Sequence, residues 1–327
     1  FEYGAEFEPI PGVRARFIDA GHMLGSATVV LDVDDEGTTK RLVFSGDIGH
    51  KGSPLLEHPE IPEGADFVIM ESTYGDRDHP PPTEAHDALL DALKETEAKG
   101  GKLLIPAFAV GRTQEIVYRM SQMSDKGELP AIDAYVDSPL AVNVTEVFRM
   151  HPEATNGAVK AAFETERDGD PFGFSRLKYV RQVEDSKAIR AVRGPTVVIS
   201  ASGMCEAGRI LHHLKNHLGD PRTQVLFVGF QAAETLGRKL LDGMNPVPIL
   251  GEEVTVRAKL RRAEAFSGHA DRKELLEWAA GVRKSGKVRR TFLVHGEDDP
   301  RASLAKALAD AGMKDVERPM QGNVFEL

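Results

Sequence analysis

The sequence predicts an α/β protein in which one domain is interrupted by another. Residues 1–70 contain short β-branched runs joined by turns, which favour hairpins, whereas residues 83–245 alternate strand-like and helix-like segments. Strands that alternate with helices are typical of parallel βαβ units. Residues 252–327 return to a strand, helix, strand, helix order. We therefore expect residues 1–75 and 251–327 to form one domain and residues 76–250 to be inserted between them.

The first segment shows the alternation and turn chemistry of a β-sheet. Apolar residues alternate over 13–18, and apolar runs at 27–33 and 41–44 flank the acidic turn 34–37, which indicates a hairpin. A further short strand is predicted at 67–70.

The inserted segment shows helical periodicity between apolar runs. Helices are predicted at 83–99, 112–123 and 207–218, with another behind 225–228, and 152–190 is expected to be irregular. The remaining strands share β-branched, apolar composition and are predicted at 103–105, 132–136, 196–199, 225–228 and, beyond the insertion, 288–294.

Composition places the chain among globular proteins. It has 327 residues, of which 41% are hydrophobic and 28% charged. No window holds about 18 consecutive apolar residues, so no membrane span is predicted. The single cysteine, Cys205, excludes an internal disulfide framework and fits a reducing cytoplasm.

The formal net charge of −10 conceals an uneven distribution. Residues 1–100 hold 8 basic and 21 acidic side chains, whereas residues 250–295 hold 11 basic and 6 acidic ones. This split suits metal ligation beside an anionic substrate, although an ordinary solvated surface explains it equally well.

Five polar residues follow strand-like segments, where a rigid scaffold presents exposed loops. They are His22, Asp47, Glu71, His269 and His295. Any one of them alone is more often a surface residue or a turn cap than a ligand. Their repetition beside small residues, however, indicates a hydrolytic zinc site, because His and Asp are typical zinc ligands.

The motifs around these residues are similar to those of the β-CASP nucleases, which have a metallo-β-lactamase fold. In the first 75 residues they are Ala20-Gly-His-Met-Leu-Gly-Ser-Ala27, Phe44-Ser-Gly-Asp-Ile48 and Glu71-Ser-Thr-Tyr-Gly75. The later ones, in the family's order, are Pro106-Ala-Phe-Ala-Val-Gly-Arg-Thr-Gln-Glu115, Ser202-Gly-Met204 with Gly208-Arg209, Phe266-Ser-Gly-His-Ala-Asp271 and Leu293-Val-His-Gly-Glu297. The resemblance implies a metallo-β-lactamase αββα sandwich interrupted by a Rossmann-like parallel β-CASP domain.

The resemblance also implies a role for each candidate. His22 would bind the first zinc ion, Asp47 would bridge two zinc ions, and His295 would bind the second. Glu71 would orient His269, and His269 would protonate the leaving oxygen. Two cations about 3.5–4 Å apart suit phosphoryl transfer, and an imidazole held by a carboxylate suits proton delivery near neutral pH. The implied activity is RNA hydrolysis, endonucleolytic, 5′–3′ exonucleolytic or both, with RNA as partner. The sequence leaves the oligomeric state open, and the resemblance makes a homodimer one candidate assembly.

One family signature is absent from this sequence. The His-x-His-x-Asp-His run supplies most of the metal ligands in the family, and no two of the eleven histidines here are separated by one residue. We expect the chain to lack an N-terminal part of the complete enzyme, in agreement with its start at Phe1, and to be inactive as given. His213 and His217, four apart on a predicted helix, are interpreted as structural because one helical pair is a weak metal site.

Three strand-to-helix loops are candidates for phosphate contact. Arg112 follows Gly111 at a predicted helix N-terminus, which favours anions, and Ser202 lies in a second such loop. Gly229-Phe-Gln231 is a third. Each is often an ordinary connection, but the resemblance favours Arg112 and Ser202 and adds Ser267. Aromatic residues make up only 6%, so recognition would depend mainly on the RNA backbone.

The sequence is also compatible with two other functions. The missing signature favours a catalytically silent RNA-binding or scaffold subunit, whereas the presence of His22, Asp47, His269 and His295 argues against it. A small-molecule hydrolase on the same scaffold is the third hypothesis, because fold alone does not distinguish these chemistries. The insertion and the pair of Glu71 and His269 argue against this third hypothesis, because a small-molecule hydrolase has no evident need for them.

Overall fold

The chain leaves its first folded unit after His79 and returns to it at Gly268. The computed structural model describes residues 1–165 and 169–327. Unit 1 consists of Phe1–His79 and Gly268–Leu327, and unit 2 of Pro80–Ser267. The sequence-based boundaries fall after residues 75 and 250, so the observed return to unit 1 comes later in the chain than expected.

Unit 1 is built on one seven-stranded sheet. Its strands follow the order β1-β2-β3-β4-β5-β14-β15. The bounds are β1 Glu6–Ile10, β2 Val13–Asp19, β3 Ala27–Asp35, β4 Thr38–Phe44, β5 Phe67–Glu71, β14 Arg290–Val294 and β15 Val316–Glu317. The first four strands pair antiparallel, and β4, β5, β14 and β15 pair parallel in succession.

Two helices complete unit 1 and cover its sheet. They are α8 Arg272–Lys284 and α9 Asp298–Asp310. Trp278 and Leu304, from these helices, share one buried cluster with Val43, Met70 and Leu293 of the sheet. Burial of these side chains stabilises the sheet whose strand ends carry the loops after β2, β4 and β14.

Unit 2 is a parallel α/β structure, as the alternating pattern predicts. Six strands follow the order β13-β10-β6-β9-β7-β8, and every pair in this sheet is parallel. The bounds are β6 Lys102–Pro106, β7 Asp133–Val136, β8 Leu177–Tyr179, β9 Thr196–Ser200, β10 Gln224–Phe227 and β13 Lys259–Arg262. A small antiparallel pair is formed by β11 Val247–Ile249 and β12 Glu252–Val254.

The helices of unit 2 lie between these strands in the chain. Their bounds are α1 Pro82–Lys99, α2 Arg112–Asp125, α3 Pro139–Met150, α4 Gly157–Thr165, α5 Val183–Ile189, α6 Arg209–His217 and α7 Leu236–Leu241. Leu104, Val198 and Phe227 of the sheet pack with Ile210 and Leu214 of α6 in one buried cluster. No helix among the described residues has the length and apolar content to cross a membrane.

The predicted α/β class is confirmed, and one region is corrected. Residues 152–190 were expected to be irregular, but their described part contains α4, β8 and α5. These elements are short, between 3 and 9 residues, so their periodicity is weak in the sequence. Residues 166–168 of that prediction lie outside the described residues.

Candidate metal and catalytic site

Four of the five predicted chemical residues lie at one edge of the sheet of unit 1. His22 follows β2, Asp47 follows β4, Glu71 ends β5, and His295 follows β14. Since β2 and β4 are each antiparallel to β3, and β4, β5 and β14 are parallel, these strands all end at the same edge. The sheet therefore brings together residues that are far apart in the sequence.

A glycine permits the close approach of two of these loops. A Cβ atom at Gly49 would lie 2.0 Å from the carbonyl oxygen of Gly21, and no side chain can be accommodated there. The Gly49 amide also donates to the Ala20 carbonyl at 2.8 Å. The loops that carry His22 and Asp47 are thus held against each other by backbone contact.

Asp47 lies between two histidines. Its Oδ2 is 3.8 Å from His22 Nε2, and its Oδ1 is 2.7 Å from His295 Nδ1. The hydrogen bond from His295 lowers the pKa of Asp47 and outweighs the effect of burial, and the same bond raises the pKa of His295. Asp47 is therefore an anion at neutral pH, with one oxygen directed to each histidine.

His22 is held in the form that binds metals. Burial and the neighbouring His269 lower its pKa, so its imidazole is neutral at neutral pH. Its Nδ1 lies 3.1 Å from the Gly268 carbonyl, which accepts a hydrogen bond from the ring. That bond places the proton on Nδ1 and leaves Nε2, the atom facing Asp47, as a lone-pair donor.

Glu71 and His269 form the second half of the site. His269 Nδ1 lies 3.1 Å from Glu71 Oε1 and 3.2 Å from Oε2. The Glu71 side chain is 1% exposed and also accepts the Ile48 amide at 2.6 Å. A buried carboxylate with this geometry fixes both the orientation and the protonated nitrogen of the imidazole.

The donor atoms fit a transition metal that prefers nitrogen and oxygen ligands. Among the described residues, His22, Asp47 and His269 form one group whose ligand atoms lie within 4.8 Å of one another, and Glu71, His269 and His295 form another. Both groups contain His269, which the resemblance assigns to proton transfer. The mixture of neutral imidazole and anionic carboxylate is the chemistry that zinc sites use.

The three predicted phosphate contacts lie in unit 2. Arg112 begins α2 after Gly111, but its side chain is 10% exposed and pairs with Glu115, which also binds Arg119. Ser202 Oγ accepts the amides of Glu206 and Ala207 at 3.0 and 3.2 Å. Ser267 is 9% exposed. Phosphate binding by these residues stays a prediction.

Part of the basic stretch is neutralised within unit 2. Glu95 of α1 pairs with Lys99, Lys259 and Arg261, and these contacts lower its pKa to about 2. Arg262 Nη1 lies 3.3 Å from Glu264 Oε1. Residues 250–295 therefore offer fewer unpaired basic side chains for binding an anion than the sequence count indicates.

His213 has a structural partner that the sequence analysis missed. Its Nε2 lies 2.6 Å from Oδ2 of Asp137, whose side chain is fully buried. Ser186 Oγ and Arg209 Nη1 also donate to that carboxylate, at 2.6 and 2.7 Å. This buried cluster agrees with the structural interpretation of His213. The signal available in the sequence was an Asp directly after the strand 132–136.

Sequence reasoning also missed a set of polar residues behind His269. His50, His79 and Glu274 were not singled out, although all three bind the segment that carries His269 or the start of α8. The spacing of Asp271 and Glu274 resembles a capping box, and the structure contains one there. Nothing local in the sequence identifies His50 or His79.

The parallel α/β fold, with histidines and carboxylates gathered at strand ends, is typical of metal-dependent hydrolases. Residues 113–240 match the Beta-Casp domain, and residues 253–319 match the Zn-dependent metallo-hydrolase RNA specificity domain. The chain belongs to the β-CASP family of metallo-β-lactamase-fold ribonucleases, as the following relatives also show.

The relatives cover nearly all of this chain. Ribonuclease TTHA0252 of Thermus thermophilus is 40% identical over 313 residues, which are 96% of this chain and 69% of that protein. The RNase J-like protein of Methanocaldococcus jannaschii is 30% identical over 94% of this chain and 69% of its own length. The transcription termination factor FttA of Pyrococcus abyssi is 32% identical over 94% of this chain. The chain spans about half the length of that factor, 48%.

Proposed function

We propose that the protein is a zinc-dependent RNA phosphodiester hydrolase that acts in RNA processing or decay. The observation that carries the proposal is a pair of contacts at one sheet edge. Asp47 lies between His22 and His295, and His269 is hydrogen-bonded to the buried carboxylate of Glu71. The ribonuclease names of two relatives and the RNA specificity domain support RNA as substrate.

We assign His22, Asp47 and His295 to metal binding, with Asp47 shared between two zinc ions. Bound zinc would supply Lewis-acid stabilisation of charge on the phosphoryl group. The complete site needs more ligands than these, since the described groups offer three residues each and the His-x-His-x-Asp-His run is absent from the sequence. A chain with only these ligands is accordingly expected to be inactive.

Proton transfer is assigned to His269. Water attacks phosphorus and releases one proton to the solvent, while the bond from phosphorus to the leaving ribose oxygen breaks and that oxygen gains a proton. Because Nδ1 is directed at Glu71, the other ring nitrogen of His269 would deliver it. Glu71 holds the orientation of the His269 ring through Nδ1. Arg112, Ser202 and Ser267 are proposed to contact the RNA backbone.

Cellular context is proposed from the resemblance and the composition. The single Cys205 is buried and suits a reducing cytoplasm. A homodimer is proposed on the resemblance, and light scattering on the purified protein tests it through the measured mass.

The test compares RNA cleavage by the complete gene product that contains this chain with its His269→Ala variant. We expect zinc-dependent cleavage that falls by about 10²–10⁴-fold in His269→Ala. The exposed His58 provides the matched control His58→Ala, which should keep wild-type activity. Substrates labelled at either end distinguish internal from terminal cleavage. Full activity of His269→Ala would remove His269 from the mechanism.

The same experiment separates the other two functions. An RNA complex without hydrolysis by the zinc-loaded protein would support the silent subunit. Hydrolysis of a lactam, thioester or lactone in place of RNA would support the small-molecule hydrolase.

A further inference from the structure

The segment that carries His269 is bound to the loop after Asp47 through its backbone. The His50 amide donates to the Gly268 carbonyl at 3.1 Å, and the Ala270 amide donates to the Ile48 carbonyl at 2.7 Å. Gly49 and His269 thereby form an isolated antiparallel β-bridge. The position of His269 thus depends on how firmly this short segment is held.

His79 binds the same segment from a third part of the chain. Its Nε2 lies 3.0 Å from the His269 carbonyl, which can only accept, so Nε2 carries a proton and donates. The His79 amide donates to Asp271 Oδ2 at 3.0 Å. His79 therefore binds both His269 and the residue that caps α8.

Glu274 connects the helix cap to the loop after Asp47. Its Oε2 accepts the Asp271 amide at 3.0 Å and faces His50 Nδ1 at 2.8 Å. Its Oε1 accepts the Lys51 amide at 2.9 Å. His50 and Asp271 are 8% and 7% exposed, so these bonds are shielded from water. We call His50, His79, Asp271 and Glu274 the anchor network.

We propose that His79 and Glu274 are positioning residues that hold His269 on Glu71. The proposal rests on the proposed function of His269 as the proton donor. The anchor network ties together the three segments that carry Asp47, Glu71 and His269, and its contact with His269 is a hydrogen bond to that residue's backbone.

The effect of the anchor network should be selective for proton delivery. Loss of the donor at His79 removes one hydrogen bond that holds the His269 backbone, and a displacement of roughly 1 Å can cost on the order of 10²-fold in rate. The four residues are not among the proposed metal ligands, so zinc binding should persist. Cleavage of a substrate whose leaving group departs without a proton should also persist.

The experiment uses two variants of His79 in the complete gene product. His79→Phe keeps a planar ring, which matters because His79 packs against Tyr74 and His50 with ring centroids 4.6 and 5.1 Å apart, but it removes the donor. His79→Gln places an amide donor near the position of Nε2. Both are assayed on an RNA oligonucleotide and on bis(p-nitrophenyl) phosphate, with zinc content measured and His58→Phe as the surface control.

We expect His79→Phe to lower kcat on RNA at least about tenfold with KM unchanged, and to leave the p-nitrophenyl reaction within about twofold of wild type. His79→Gln should recover most of the RNA activity. Equal losses on both substrates, or full RNA activity in His79→Phe, would overturn the proposal.

A second variant covers the case in which His79→Phe does not fold. Glu274→Gln keeps the size of the side chain but replaces one acceptor, and it should show the same selective loss on RNA. A Glu274→Gln protein with unaltered RNA activity would also overturn the proposal. A wild-type protein that loads zinc but cleaves no RNA would instead refute the proposed function, and with it the role given to His79.

Discussion

His269 Nδ1 is almost equidistant from the two carboxylate oxygens of Glu71, at 3.1 and 3.2 Å, and Glu71 is 1% exposed. A buried carboxylate in this position fixes the orientation of the imidazole ring. Glu71→Gln keeps an acceptor for the Ile48 amide but loses the charge. We expect the single-turnover rate constant for RNA cleavage to fall by about 10²-fold. The exposed Glu63 offers the control Glu63→Gln, and a Glu71→Gln rate within twofold of wild type would show that His269 does not depend on the carboxylate.

Asp47 should determine the zinc content. Its two oxygens face His22 and His295, so Asp47→Asn removes the negative charge from both proposed metal positions at once. We expect the complete gene product to lose at least one zinc ion per active site, measured by mass spectrometry of the metal after dialysis. Asp35→Asn, at the exposed end of β3, is the control. Unchanged zinc in Asp47→Asn would contradict the bridging role.

The buried cluster of Asp137 should stabilise unit 2. Burial alone would raise the pKa of Asp137, but hydrogen bonds from His213, Ser186 and Arg209 outweigh it and the pKa is lowered. Asp137→Asn leaves Arg209 without its carboxylate, which we expect to cost about 3 kcal/mol of unfolding free energy at pH 7. Urea unfolding measures it, with the exposed Asp185→Asn as the control.

The same cluster predicts a pH dependence. A carboxyl with a lowered pKa contributes stability above its ordinary value, here 3.8, and loses it as the pH falls through the folded-state pKa. The stability difference between wild type and Asp137→Asn should be full at pH 7 and should shrink below 3.8. A difference that is constant down to acid pH would show that the charge of Asp137 is not its source.

His217 should make unit 2 sensitive to mild acid. Burial, with Lys102 nearby, lowers the pKa of His217 from 6.5 to about 4. The fold favours the neutral ring, so stability is full above 6.5 and declines as the pH falls toward about 4. We expect wild type to lose on the order of 1 kcal/mol more than His217→Leu between pH 7 and 5, since the ring is only partly shielded. His212→Leu is the exposed control, and equal acid losses in wild type and His217→Leu would contradict the prediction.

Local patterns in the sequence predicted most of the elements but only part of the site. The hairpin of β3 and β4 follows from β-branched strands around a turn, which are local properties. The turn consists of Glu36 and Gly37, and is shorter than the predicted 34–37 because Asp34 and Asp35 pair with β4. The five candidate residues were recognised from their positions after strand-like segments and from their motifs. The structure places His22, Asp47, Glu71 and His295 at one sheet edge, and His269 binds Glu71 there. His79 could not be predicted, because its partners are about 190 positions away and a hydrogen bond to a carbonyl leaves no pattern.

Ion pairs between distant positions also explain why the count of basic residues overstated the charge available for binding. The sequence indicates no partner for Lys259 or Arg261, but in the structure both form ion pairs with Glu95 of α1. The same applies to Asp137 and His213, which are 76 positions apart. Such pairs are decided by which strands and helices become neighbours, and a single sequence does not give that information.

The measurement that tests the central claim most directly is the rate of RNA hydrolysis by the complete gene product as a function of bound zinc. The site of His22, Asp47 and His295 predicts no cleavage after chelation, and recovery of the rate in proportion to zinc returned to the protein. Cleavage at the full rate by metal-free protein, or zinc-loaded protein that leaves RNA intact, would contradict it.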